Sequence, residues 1–164
     1  ILWGVLALAV LAAGMYAAVV AHRNSQELLA LSITGMTSCA VSPVAWGHHW
    51  VWFVPLLVVA FDQAYRSRSR WWWAAPAAIV ALSFNYWYNW WNSGPRWTAD
   101  HAIALGLFMM PRWPDPQWFD YPLVLLYAGC YPLVLLLTIV VTLVGAARTR
   151  RSTATTDAVS VTTA

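Results

Sequence analysis

Two adjacent histidines, His48 and His49, stand between two long apolar runs, inside the segment Ser42-Pro43-Val44-Ala45-Trp46-Gly47-His48-His49-Trp50-Val51-Trp52. An unperturbed imidazole titrates at about pH 6.5, so near neutrality it both accepts and donates a proton. Neutral, it can act as a base towards a hydroxyl; protonated, it can steady a departing anion. A second reading stays open on residue physics alone. Aromatic and amphipathic side chains collect in the headgroup zone of a bilayer, and both histidines can lie there without doing chemistry.

A further set of polar groups, Arg96, Asp100, His101, Arg112, Asp115 and Asp120, falls in one long irregular stretch rich in tryptophan and proline. Arginine pairs with phosphate, so Arg96 and Arg112 are candidate holders of an anionic, lipid-linked substrate. Their other reading is an ordinary wet interface with snorkelling arginines. A metal site is not expected. Neighbouring positions on an α-helix leave the axis about 100° apart, and zinc needs three or four ligands. Phosphate-loop, dinucleotide and zincin patterns are absent, so no cofactor is expected. No nucleic-acid partner is expected either, because the basic residues hug the apolar runs.

Of the 164 residues, 61% are hydrophobic and 9% are charged, against about 25% charged in soluble domains. That is too little charge for a water-facing surface, and it predicts an all-α polytopic membrane protein. The thirteen tryptophans cluster where apolar runs end, as indoles do at bilayer interfaces. Cys39 and Cys130 lie inside apolar runs without C-x-x-C spacing and read as buried thiols.

A hydrocarbon core about 30 Å thick takes about 20 helical residues. On that measure the pattern predicts five spans, at 1–21, 26–42, 49–65, 71–88 and 121–147. Ser25 is a candidate cap for the second span. Pro43 should end it, and Pro132 should kink the fifth. Residues 101–110 are apolar but too short to span, which suggests an interfacial or re-entrant helix within an external loop, 89–120. The Thr-, Ser- and Ala-rich tail, 148–164, is expected to be disordered and cytoplasmic. Ile1 already lies inside an apolar run, which we read as the C-terminal part of a longer chain.

The five spans put seven arginines (Arg23, Arg66, Arg68, Arg70, Arg148, Arg150 and Arg151) on one side and two, Arg96 and Arg112, on the other. By the positive-inside rule the seven are cytoplasmic. Residues 42–49 and 89–120 then share the external face of the plasma membrane.

The segment 42–52 resembles the Ser-Pro-x-Ser-Trp-x-His-His stretch of glycosyltransferase family 87, the polyprenol-phosphate-mannose-dependent α-(1→2)-mannosyltransferases of actinobacteria; Ala45 stands where a serine is frequent. The resemblance implies a GT-C-type helix bundle with an external active site. It implies a hexosyltransferase that moves mannose from a polyprenyl-phosphate donor to a mannoside glycolipid or lipoglycan acceptor. The family's catalytic aspartate would lie upstream of this stretch, leaving the fragment inactive alone. His48 and His49 would act on the acceptor hydroxyl or the donor phosphate, and Ser42, Trp46, Trp50, Arg96 and Arg112 would bind substrate. The alternatives are a transporter or flippase, disfavoured because mid-span charges are nearly absent, or a non-catalytic membrane protein.

Overall fold

The computed structural model describes residues 2–42, 47–67, 69–83, 86–88, 103–105, 122 and 129–162. They fall into two compact units. One joins Ile1–Pro43 to Leu135–Ala164, and the other is Val44–Val134.

The first unit is built on a helical hairpin. Helix α1, Leu2–Arg23, meets no proline and no charge before its last turn. It ends in a Schellman motif: the Gln26 N–H donates to the Ala21 carbonyl at 3.0 Å and the Ser25 N–H to the His22 carbonyl at 2.9 Å. Ser25 therefore closes α1 instead of capping the next helix, and it takes the left-handed φ of +57° that this motif requires. Helix α2, Glu27–Val41, starts after Gln26 without a side-chain cap. Its end is set by Pro43, which clashes with a helical predecessor; Ser42 is extended at φ −75°, ψ 130°.

The hairpin packs through small residues. Gly14, Ala17, Ala18 and Ala21 are buried on α1, at the i, i+3, i+4, i+7 spacing of one helical face. On α2 the buried set includes Ala30, Ile33, Gly35, Met36 and Thr37. A Cβ at Gly14 would run into the Thr37 side chain, so glycine is what lets the helices approach. Lipid tails are as apolar as leucine, so close van der Waals contact, more than burial from water, holds such helices together. The hydroxyls of Ser32, Thr34 and Ser38 are satisfied within α2, donating to the carbonyls of Leu28, Ala30 and Gly35 at 2.7, 2.9 and 2.7 Å. Thr37 Oγ1 is buried without a hydrogen-bond partner; the Gly14 Cα hydrogen that a Cβ would replace points at it, a weak C–H···O contact. Gly4 touches nothing in the same way.

In the second unit the prolines mark helix starts. Helix α3 is Phe53–Arg66, α4 is Ala74–Ser83 and α5 begins at Cys130. Pro55, Pro76 and Pro132 each occupy the third residue of its helix. The first four N–H groups of a helix have no internal partner, so the missing donor costs nothing there. The expected kink at Pro132 is thereby corrected: the residue lies in the first turn of α5. In the last turns of α3, Asp62 accepts a hydrogen bond from Arg66 Nε at 2.8 Å. That bond and the adjacent carboxylate charge raise the Arg66 pKa further. A 3-10 turn, Arg70–Trp73, follows. Arg70 lies over the Trp71 ring at 5.9 Å, and Trp73 meets Phe61 edge to face at 6.0 Å.

Several sequence expectations change. Among the described residues, two stretches are helical, long and apolar enough to cross a bilayer: Leu2–Arg23 and Cys130–Ser152. Helix α2, with 15 residues, α3 with 14 and α4 with 10 are shorter than a full crossing. The stretch 71–88 is not one helix: α4 stops at Ser83, and Tyr86–Tyr88 forms strand β1. Strand β1 pairs antiparallel with β2, Ile103–Leu105, in the register Tyr86–Leu105, Trp87–Ala104 and Tyr88–Ile103. A strand thus lies where a short helix over 101–110 was expected. The aromatic run 86–88 favours this outcome, since bulky aromatic residues suit a pleated strand. Helix α5 continues to Thr162, through the tail expected to be disordered; after Gly145 no glycine or proline interrupts it.

Large apolar side chains remain exposed along both long helices, including Leu2, Trp3, Leu6 and Leu8 on α1 and Leu137, Val140 and Val141 on α5. Soluble monomers rarely expose so much contiguous apolar surface, whereas a bilayer covers it.

Candidate functional site

Ser42 closes α2 in the first unit, exposed and extended. In the second unit the histidine pair lies on a 3-10 segment, Gly47–Trp52, and not on an α-helix. With three residues per turn, successive positions diverge by about 120° and positions i and i+3 eclipse. The segment is kinked within itself at Trp50, whose φ −81°, ψ 20° leaves the helical range, while Trp52 leads into α3 in helical geometry. The aromatic contact that follows has i, i+3 spacing: Trp50 stacks on Phe53, with centroids 5.5 Å apart and an interplanar angle of 20°.

His49 is exposed. The next residue, Trp50, is only 8% exposed, so the burial pattern flips within one peptide. Trp50 was expected to face substrate, yet its ring lies against the protein. It packs on Tyr131 at 5.4 Å and 57°, and Tyr131 meets Phe53 edge to face at 4.8 Å and 77°. Phe53 is 2% and Tyr131 5% exposed. Offset or tilted aromatic pairs of this kind each add about 0.5–1.5 kcal/mol beyond area burial. The Tyr131 hydroxyl donates to the Ser83 carbonyl at 3.3 Å, satisfying a carbonyl at the last residue of α4. Ser83 Oγ is buried beside this bond without a hydrogen-bond partner.

The cluster therefore ties three chain segments to the histidine turn: the start of α3, the end of α4 and the start of α5. Sequence reasoning missed Phe53, Ser83 and Tyr131. Trp50 and Tyr131 are eighty-one positions apart (131 − 50), and no local pattern couples them. Trp46, Arg96, Asp100, His101, Arg112, Asp115 and Asp120 lie outside the described residues. Among the described residues no group of three His, Cys, Asp or Glu side chains gathers as a metal site. Cys39 and Cys130 are buried and not joined in a disulfide.

No protein-family model matches the chain, and no solved structure matches it. Curated proteins do. Over 90 residues, 51% of this chain and 20% of the relative, it is 43% identical to a polyprenol-phosphate-mannose-dependent α-(1-2)-phosphatidylinositol mannoside mannosyltransferase of Mycolicibacterium smegmatis. A protein of the same description from Mycobacterium tuberculosis is 37% identical over 68 residues, 42% of this chain and 16% of the relative. A polyprenol-phosphate-mannose-dependent α-(1-2)-phosphatidylinositol pentamannoside mannosyltransferase of Mycobacterium tuberculosis is 36% identical over 69 residues, 40% of this chain and 16% of the relative. The chain spans about a fifth or less of the length of these relatives. Over about half its own length, then, it is homologous to the polyprenol-phosphate-mannose-dependent mannosyltransferases that the Ser42–Trp52 motif resembles.

Proposed function

We propose that this chain is part of a membrane mannosyltransferase of the GT-C type, which moves a mannosyl residue from a polyprenyl-phosphate donor to a phosphatidylinositol-mannoside-like acceptor. The observation that carries this reading is the 43% identity over 90 residues to a protein named for that donor and acceptor class. Five membrane crossings, with residues 42–49 and 89–120 on the external face, are part of the same proposal. Seven arginines against two support it through the positive-inside rule.

In this reading the donor's prenyl chain stays in the bilayer and its phosphate sits at the rim. The acceptor hydroxyl attacks the mannose anomeric carbon as the bond from that carbon to the phosphate oxygen breaks. The hydroxyl proton must leave, and the phosphate takes the bonding electrons. A neutral histidine from the pair His48 and His49 can receive the proton, and an imidazolium or an arginine, Arg96 or Arg112, can balance the phosphate charge. Ser42 and Trp46 keep substrate-binding roles. Trp50 is given a structural one instead, because its ring is engaged with Phe53 and Tyr131.

The test uses the full-length protein in sealed proteoliposomes with labelled polyprenyl-phosphate mannose and a phosphatidylinositol mannoside acceptor. The proposal expects labelled, elongated acceptor. Movement of unmodified donor lipid without transfer would favour the transporter reading and overturn this one.

A further inference from the structure

We infer that Tyr131 is a positioning residue, holding the turn that carries His49 through an aromatic clamp made with Trp50 and Phe53. The inference deepens the transferase reading and rests on it for the kinetic part of its test. Three observations in one compact unit carry it. His49 is exposed while its neighbour Trp50 is 8% exposed, so the backbone that carries the imidazole continues directly into a buried indole. The non-helical backbone at Trp50 separates the part of the 3-10 segment that carries the histidines from the part continuous with α3, so helical hydrogen bonding alone does not fix it. The indole touches both Phe53, the first residue of α3, and Tyr131, which lies in the first turn of a distant helix and is tied by its hydroxyl to the last residue of α4.

The clamp divides the work by chemistry. The Tyr131 ring supplies the wall against which Trp50 rests, at 5.4 Å, and the edge that meets Phe53, at 4.8 Å. The hydroxyl, by contrast, fixes the ring to the Ser83 carbonyl with a bond of 3.3 Å, long for an O–H donor. The ring therefore carries most of the positioning and the hydroxyl little of it. A displaced general base loses rate without losing substrate affinity, and about 1 Å of misplacement can lower a rate about 100-fold.

The experiment compares Tyr131→Leu, Tyr131→Phe and Trp50→Leu in the full-length enzyme in nanodiscs, with donor KM and kcat measured separately. Alongside it, Val51→Cys, an exposed position on the same turn, is labelled with a membrane-impermeant maleimide in each background. Expected results are a kcat about 10- to 100-fold lower for Tyr131→Leu and Trp50→Leu, with KM within about threefold. Tyr131→Phe should restore kcat to within about threefold of the parent. The maleimide rate at position 51 should change about threefold or more in the two leucine variants and stay constant in Tyr131→Phe. An unchanged kcat in both leucine variants overturns the inference, as does a loss that Tyr131→Phe fails to rescue. If the parent enzyme transfers no mannose, the transferase reading fails by itself and the labelling decides. A changed rate in the leucine variants supports the clamp, and an unchanged one overturns it.

Discussion

The α1–α2 hairpin and the histidine turn hold themselves together by opposite means. The hairpin uses absence: a glycine and several alanines let two backbones close on each other, with Thr37 seated against Gly14. The histidine turn uses bulk: three aromatic rings, two of them from the turn and the start of α3 and one from far along the chain. Small residues give a packing that works along a whole helix face and tolerates no added atom. A ring cluster gives a local fixture that tolerates loss of a hydroxyl but not of a ring. The first suits a membrane scaffold, and the second suits a short segment that must be held in one place.

That contrast can be broken by substitution. The largest effect is expected for Phe53→Ala, which removes the ring shared by Trp50 and Tyr131; truncating a buried aromatic costs about 3–5 kcal/mol. Denaturant titration in detergent micelles should show that loss. Next is Gly14→Val, where the added side chain collides with Thr37; overpacking of this kind costs about 1–3 kcal/mol. A hairpin that kept its stability with valine there would show that the helices are not in close contact. Thr37→Val sharpens the point. It keeps the shape and removes a buried hydroxyl without a hydrogen-bond partner, so stability should hold or rise by up to about 1 kcal/mol. Ser25→Gly should stabilise slightly, by about 0.5–1 kcal/mol, because glycine takes a positive φ without a steric penalty. The smallest effect belongs to Asp62→Asn: its partner Arg66 is exposed, and exposed pairs contribute little, so the unfolding midpoint should not move.

The same contrast explains what the residues told in advance. The hairpin is legible because its determinants are local. An uncharged run of span length, a polar turn at 22–25 and a proline at position 43 give its helices nearly residue by residue. Ser25 was misjudged because serine is both a good cap and a tolerable left-handed residue, and only the hydrogen bonds to Ala21 and His22 decide between them. Pro132 looked like an interruption since apolar residues surround it; its place at the third residue of α5, shared by Pro55 in α3 and Pro76 in α4, depends on where the preceding turns stop. The strand pairing of 86–88 with 103–105 and the contact of Trp50 with Tyr131 join positions distant in sequence, which periodicity does not reach. Of the aromatic cluster, Trp50 stands in the motif, while Phe53 and Tyr131 carry no local signal that joins them to it.

Removing the imidazoles tests the central claim most directly. In the full-length enzyme, with polyprenyl-phosphate mannose as donor, the double variant His48→Ala, His49→Ala should lose about 100-fold or more in kcat, the scale of a general acid–base group, while remaining folded in the same nanodiscs. A double variant that transfers mannose at the parent rate would contradict the account.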